Sequence, residues 1–257
     1  MPTFAVIIAA AGKSSRFGGC QARDKKVFQE LNGRAVWIRT AEAFLGRDDV
    51  KQTLIVLSPE DMDWFRDKYR ANLAFMDVEL VEGGAERCDS VQKALARVRS
   101  DIEFIAVHDA ARPLIAKDWI SNVFETAAQC DAAILATKIS STVKRAENGV
   151  IRETVPRDQL WAAQTPQVFR RQLLLDAYAA RGKRQPTDDA ELVEQFGRNV
   201  AIVEGSALNL KITTREDLRM AEVLLDVLPK EKNLEALHPF GTSKGPTAGK
   251  PKWLFDS

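Results

Sequence analysis

Short, unbroken apolar runs alternating with amphipathic stretches put the tightest limit on what this chain can fold into. "FAVIIAA" from Phe4, "QTLIVLS" from Gln52, "MDVELVE" from Met76, "EFIAVHD" from Glu103 and "DAAILAT" from Asp131 read as strands buried on both sides. Between them, "AVWIRTAEAFL", "EDMDWFRDKYRANL", "RCDSVQKALARV" and "KDWISNVFETAAQ" carry helical spacing. The alternation predicts βαβ units: an α/β fold with a mostly parallel, Rossmann-like sheet and helices on both faces. At 257 residues and 45% hydrophobic content, the chain can bury the core of one such domain.

The rhythm changes after Thr137. "SSTVKRAENGVIRETV" alternates, carries many charges and has a turn signal at Glu147–Asn148–Gly149, which predicts a hairpin projecting from the sheet. The α/β pattern then returns, with helices expected near Arg170 and Asp188 and a strand at "VAIVEG". Thr214 reads as the N-cap of "REDLRMAEVLLDVL", with Asp217 completing a capping box and Pro229 ending the helix. The expected organisation is one domain over 1–229, with a β-arm at about 138–157 and an extended tail over 230–257. Trp253, Leu254 and Phe255 are candidates for pinning the end of that tail to the body.

Composition narrows the function. A formal net charge of +1 gives no general attraction to nucleic acid or to an acidic membrane, so any phosphate site must come from locally clustered cations. The cysteines Cys20, Cys88 and Cys130 form no CxxC, and with His108 and His238 they give neither a zinc pattern nor a disulfide framework. A reducing cytoplasm fits. The N-terminus is a poor signal peptide, and no run approaches the ~20 apolar residues of a membrane helix.

The chemistry starts at "AAAGKSSRFGG", Ala9 to Gly19, just after the first apolar run. A Walker loop would need its first glycine at position 7, where Ile7 stands, and the G-x-G-x-x-G fingerprint is absent too. What remains is a turn of small residues. Ala10, Ala11 and Gly12 allow close approach to the backbone, Ser14 and Ser15 offer hydroxyls, and Arg16 and Lys26 bracket the stretch with positive charge. A loop at the carboxyl end of a strand is where open α/β sheets bind ligands; a plain strand-to-helix connection is the alternative. "VHDAARPLI" ends a strand with Asp109, placed to bond a sugar hydroxyl, to bind Mg²⁺ or to cap the next helix. "EGGAERCDSV" puts Gly83 and Gly84 after a strand and Ser90 near a helix start, either for close contact with a base or as an ordinary glycine turn. His108 is open to acid–base work or to a structural role.

Taken in order and spacing, "AAAGKSSRFG", the following Lys26, "GGAERCDSV", "VHDAARP", "LWAAQTPQVF", "TDDAELVE" and "LNLKITTREDL" resemble the 2-C-methyl-D-erythritol 4-phosphate cytidylyltransferases, from about Phe4 to Leu228. The resemblance implies a glycosyltransferase-A-like nucleotidyltransferase that joins CTP to the polyol phosphate with release of pyrophosphate. It also implies Mg²⁺, carried mainly by the CTP phosphates with Asp109 as a possible ligand, and a homodimer formed through the β-arm. Carried over by position, Arg16 and Lys26 are the transition-state cations, and Arg157 and Lys211 hold the acceptor phosphate with Thr142, Thr165 and Asp109. Ala10, Ala11, Gly84 and Ser90 hold the cytosine, and Gly12 and Asp109 the ribose.

The chain departs from the family pattern at several points. Lys25 stands where the family usually has proline, the loop from Phe17 to Lys26 is longer, Ser141 replaces an aspartate and Leu208 an acidic residue. Lys26 is preferred to Lys25 as the reacting lysine because it directly precedes "VF". The alternatives are a cytidylyltransferase for another polyol phosphate, such as ribitol 5-phosphate, and a non-catalytic nucleotide-binding relative. The cations fit the reaction. Joining two polyanions is strongly opposed, and a counter-charge at ~4 Å is worth about 4 kcal/mol at an effective dielectric near 20. A phosphate nucleophile is already anionic and needs no strong base, in keeping with two histidines in the whole chain.

Overall fold

The computed structural model describes residues 1–18 and 21–229; the expected tail, with His238 and the Trp253–Phe255 anchor, lies outside the described residues, as does Cys20. In chain order the elements are β1 (Phe4–Ala9), β2 (Glu30–Leu31), β3 (Arg34–Ala35), α1 (Val36–Glu42), β4 (Val50–Leu57), α2 (Met62–Lys68) and α3 (Arg70–Phe75). There follow β5 (Glu79–Glu82), α4 (Arg87–Leu95), β6 (Phe104–Asp109), α5 (Lys117–Cys130) and β7 (Ala132–Lys138). The chain continues through β8 (Val143–Glu147), β9 (Val150–Val155), β10 (Trp161–Arg170), α6 (Arg171–Ala179), α7 (Asp189–Gln195), β11 (Ala201–Glu204) and α8 (Arg215–Leu224).

Seven strands form the central sheet in the order β11-β7-β10-β6-β1-β4-β5. All run parallel except β10, which is antiparallel to both of its neighbours. The mostly parallel sheet predicted from the apolar runs is therefore present. The strand the runs do not reveal is β10, and it lies near the middle. Along β1, Phe4, Val6 and Ile8 face α1, α2 and α5, while Ala5 and Ile7 face α4, α6 and α7. Two cores thus sandwich the sheet. A Val, Leu, Ile or Phe side chain fully buried in either contributes about 1.5–3 kcal/mol.

The stretch read as one helix, from Glu60 to Leu73, is two. The break falls at Tyr69, whose ring packs on Phe65 at 4.9 Å and on Trp37 at 5.0 Å. The expected capping box is present, formed reciprocally by Thr214 and Asp217, and the helix expected near Asp188 is capped by Asp188, which accepts from the Glu191 amide. The hairpin also forms. Asn148 and Gly149 both have positive φ, as a two-residue turn between twisted strands requires, and β8 and β9 pair only with each other.

Candidate active site

β1, β4, β5 and β6 end along one edge of the sheet, and the loops that follow them enclose a cavity of about 610 Å³. Its floor is Ala9 to Gly12, one wall is Ser58 to Glu60, and the other runs from Gly84 to Arg87 with Ser90. Lys26, Asp109 and Lys211 close it. The glycines are sterically required on the α4 side. A Cβ on Gly84 would come within 2.5 Å of Asp89 Cβ, and one on Gly83 within 2.9 Å of Ala11 Cβ. The Ser90 hydroxyl accepts from the Gly84 amide at 3.0 Å and donates to the Glu86 carbonyl at 3.0 Å, fixing the turn. The wall on the α4 side is thus packed without room for larger residues at Gly83 and Gly84.

A second cavity, of about 240 Å³, adjoins the first. Thr165, Gln164 and Gln167 of β10 line it together with Arg112, Thr187 and Asp188, and it shares Arg87, Asp109 and Lys211 with the first. Asp109 is the junction. Lys211 Nζ lies 2.8 Å from its Oδ2, Arg112 Nε lies 3.4 Å from the same oxygen, and Arg87 Nε lies 3.8 Å from Oδ1. Burial alone would raise the Asp109 carboxyl, but the charges of Lys211, Arg87 and Arg112 outweigh it and hold the group well below the usual carboxylate range. Asp109 is thus a permanent anion and not the cap of the next helix, since α5 starts at Lys117 after Ala116. Arg87 is anchored from behind by Asp189 at 2.6 Å, which Tyr178 also bonds at 2.6 Å.

The two adjacent lysines separate cleanly. Lys25 turns away from the cavity into a buried ion pair with Asp61 at 2.6 Å. Lys26 lines the cavity, and its amide donates to Ser14 Oγ at 3.3 Å. Burial and the charges of Lys211 and Arg16, opposed by Asp109, lower the Lys26 amine to about 8. A lysine held this way gains most when an anion arrives.

His108 is wholly buried, its imidazole pushed down to about 4 by burial. Its Nε2 lies 3.1 Å from the Arg112 carbonyl, which can only accept, so that nitrogen carries the proton. Nδ1 then accepts from the Thr165 hydroxyl at 3.1 Å, and Thr165 Oγ1 accepts the Asp109 amide at 3.0 Å. His108 orients; it does not titrate near neutrality.

Of the residues singled out in the sequence, the structure gathers Ala10, Ala11, Gly12, Lys26, Gly84, Ser90, Asp109 and Lys211 at the first cavity and Thr165 at the second. Ser14, Ser15 and Arg16 lie on the adjoining turn, where Ser14 supports Lys26 and Arg16 acts on it through space. Thr142 and Arg157 line neither cavity; Arg157 donates to the Ser140 carbonyl inside the arm. Arg87, Arg112 and the Ser58–Glu60 wall carry no role in the sequence reading. Arg87 and Arg112 sit inside the segments "GGAERCDSV" and "VHDAARP", where a cation amid small residues is the available signal; the Ser58–Glu60 wall has none.

A sequence model of the family described as "IspD: 2-C-methyl-D-erythritol 4-phosphate cytidylyltransferase" matches residues 4–227. The protein of that name from Rhodopirellula baltica is 41% identical over 232 residues, 86% of this chain and 94% of that one. Its namesake from Bacillus mycoides is 39% identical over 231 residues, 88% and 100%. Among solved structures, a 4-diphosphocytidyl-2C-methyl-D-erythritol synthase superposes with a TM-score of 0.74 at 31% identity over 88% of this chain and all of that one. The 2-C-methyl-D-erythritol 4-phosphate cytidylyltransferase from Thermus thermophilus gives 0.70 at 30%, with the same coverage. Sequence match and superposition agree, and the chain belongs to the 2-C-methyl-D-erythritol 4-phosphate cytidylyltransferase family.

Proposed function

We propose that this enzyme transfers the cytidylyl group of CTP to 2-C-methyl-D-erythritol 4-phosphate and releases pyrophosphate. The observation that carries the reading is the junction: Asp109, Lys211 and Arg87 line both cavities at once. A nucleotide in the larger and a polyol phosphate in the smaller would bring their reacting phosphates together there. The cytosine takes the slot bounded by Ala10, Ala11, Gly84 and Ser90, with Gly12 and Asp109 beside the ribose. Lys26 and Arg16 stabilise charge building on the α-phosphate, and Lys211 faces the acceptor. The chain contributes positioning and fixed charge rather than a base, since neighbouring cations hold the Asp109 carboxyl well below the usual range and both ring nitrogens of the neutral His108 are engaged.

Mg²⁺ fits as a cation that arrives with the nucleotide. Among the described residues no three His, Cys, Asp or Glu side chains converge into a cage, while Asp109 offers Oδ1 with only a distant Arg87 contact. Bound mainly by the triphosphate with Asp109 as the protein ligand, the ion would offset charge on the departing pyrophosphate.

The acceptor phosphate takes Arg157 and Thr142 from a second copy of the chain. Supporting this, the arm carries both residues away from its own cavities and exposes Val150 and Ile151 at 59% and 61%. A two-stranded hairpin of this kind is marginal alone, and a two-fold dimer is its natural support. A cytoplasmic location suits the free thiols Cys88 and Cys130, and no described helix is long and apolar enough to cross a membrane.

The deciding experiment is pyrophosphate release from CTP and Mg²⁺ with a panel of acceptors. Release with 2-C-methyl-D-erythritol 4-phosphate well above that with ribitol 5-phosphate is expected. The reverse order would move the acceptor, and no release with any acceptor would leave a nucleotide-binding protein without this chemistry.

A further inference from the structure

The turn that carries Lys26 has no sheet ladder to hold it. From Gly12 to Gln29 the described chain forms only three-residue 3₁₀ turns, Ser15–Phe17, Ala22–Asp24 and Lys26–Phe28. Lys25 is the joint between the last two: its amide donates to the Ala22 carbonyl at 3.1 Å, and its carbonyl accepts the Phe28 amide at 3.0 Å. Its side chain is 6% exposed and runs to the loop after β4. There Nζ meets Asp61 Oδ2 at 2.6 Å, Ser58 Oγ at 2.9 Å and Glu60 Oε1 at 3.4 Å. Ser58 in turn donates to the same Asp61 oxygen at 2.5 Å, while Asp61 Oδ1 has no partner. The bonds therefore converge on one point beneath the Ser58–Glu60 wall of the nucleotide cavity.

We propose that Lys25 is a positioning residue, clamping the turn that bears Lys26 to the Ser58–Asp61 loop and so fixing the Lys26 ammonium on the floor side of the nucleotide cavity. Lys25 itself does not line that cavity. The clamp also engages Glu60, a carboxylate lining the space proposed for a polyanion. Two neighbouring lysines thus divide the work: one sets geometry from behind, the other presents charge in front. Val27 and Phe28 add apolar burial to the same turn, but burial constrains depth more than direction, whereas three bonds to one ammonium constrain both.

This inference rests on the cytidylyltransferase reading only for its kinetic arm. Lys25→Met alone would strand a buried aspartate and endanger the fold, so the informative variant is Lys25→Met with Asp61→Leu, because replacing both members of a buried pair by apolar groups is often neutral for stability. With the melting temperature held, amides of residues 22–29 are expected to exchange with deuterium at least about tenfold faster, while those of β1 and β6 stay unchanged. In steady state, kcat should fall about tenfold. Lys26→Ala, which should cost 10²-fold or more in the native background, should cost about tenfold less than that in the double variant, because the two act through one interaction. Unchanged exchange over 22–29, or losses that simply multiply, would overturn the clamp. Were the native enzyme to release no pyrophosphate, the function would be misread, yet the exchange measurement would still judge Lys25.

Discussion

Gly84 and Arg157, both proposed to meet a substrate, are held in opposite ways. Gly84 sits where its neighbours leave no room for a methyl group, on a turn tied to Ser90 and followed at once by α4. The floor opposite is Ala10, 1% exposed, at the end of a strand paired on both sides. Arg157 follows a hairpin that pairs only with itself. That hairpin's ion pairs, Arg145–Glu153 and Arg152–Glu147, are solvent-exposed, and such pairs contribute no more than about 1 kcal/mol. The nucleotide side is thus specified by burial and steric exclusion within one chain. The proposed acceptor-phosphate side is specified by the reach of that arm.

Removing the charge at either region should show the largest effect. Lys26→Ala and Arg16→Ala should each lower kcat by roughly 10²–10³-fold, the cost of losing one preorganised donor, with a much smaller change in CTP binding. Arg157→Ala should be comparably damaging, yet the regions should differ on mixing. When Lys26→Ala and Arg157→Ala subunits are re-equilibrated, each heterodimer carries one intact site, so activity should reappear. Exchange without recovery would mean that Arg157 serves its own chain, and the contrast would collapse. Next in size is base selection. The slot at Ala10, Ala11 and Gly84 should favour CTP over ATP or GTP by on the order of 10²-fold in kcat/KM, with UTP intermediate; equal use of ATP would show that the steric argument fails.

A gentler probe is pH. Lys26 serves as a cation, and its amine is lowered to about 8, so kcat/KM for CTP should fall by up to about tenfold per unit above that pH. Lys26→Arg should move this limb to higher pH; an unmoved limb would assign it elsewhere. The smallest effect is on stability. A lysine whose folded value lies below its unfolded one disfavours the native state when protonated. That penalty is complete below about 8 and fades as pH rises toward the unfolded value. Lys26→Met should therefore melt about 2–4 °C higher than the native chain at pH 7, with the gap closing by pH 10. A lower melting temperature at pH 7 would show that Lys26 supports the loop.

The strands of the nucleotide half were legible because parallel strands covered on both faces leave continuous apolar runs. β10 was not. "WAAQTPQVFR" mixes exposed Ala162 and Ala163 with Gln164, Thr165 and Pro166, and its register shifts between Ala163 and Gln167. Only pairing with β6 and β7 makes it a strand, and pairing leaves no local pattern. The site residues were legible where a motif carries them. The partners that set their roles were not: Asp61 lies 36 positions from Lys25, and Asp189 lies 102 from Arg87. Choosing Lys26 over Lys25 from the following "VF" agrees with where each amine points, but the reason, a buried aspartate for Lys25, is a tertiary fact.

The reversed direction of β10 has a consequence for how such an enzyme can change. A parallel strand delivers side chains to the binding edge with its last residues, just before its loop; β10 delivers them with its early residues, just after the arm. Continuing its register with β6 sets Thr165 level with Asp109, so an outgoing and an incoming segment meet across one gap. Alterations near the start of β10, or in the hairpin before it, can therefore reshape the wall of the smaller cavity without disturbing the turns around the larger one. The two cavities become separable units of inheritance, joined where Asp109, Lys211 and Arg87 line both.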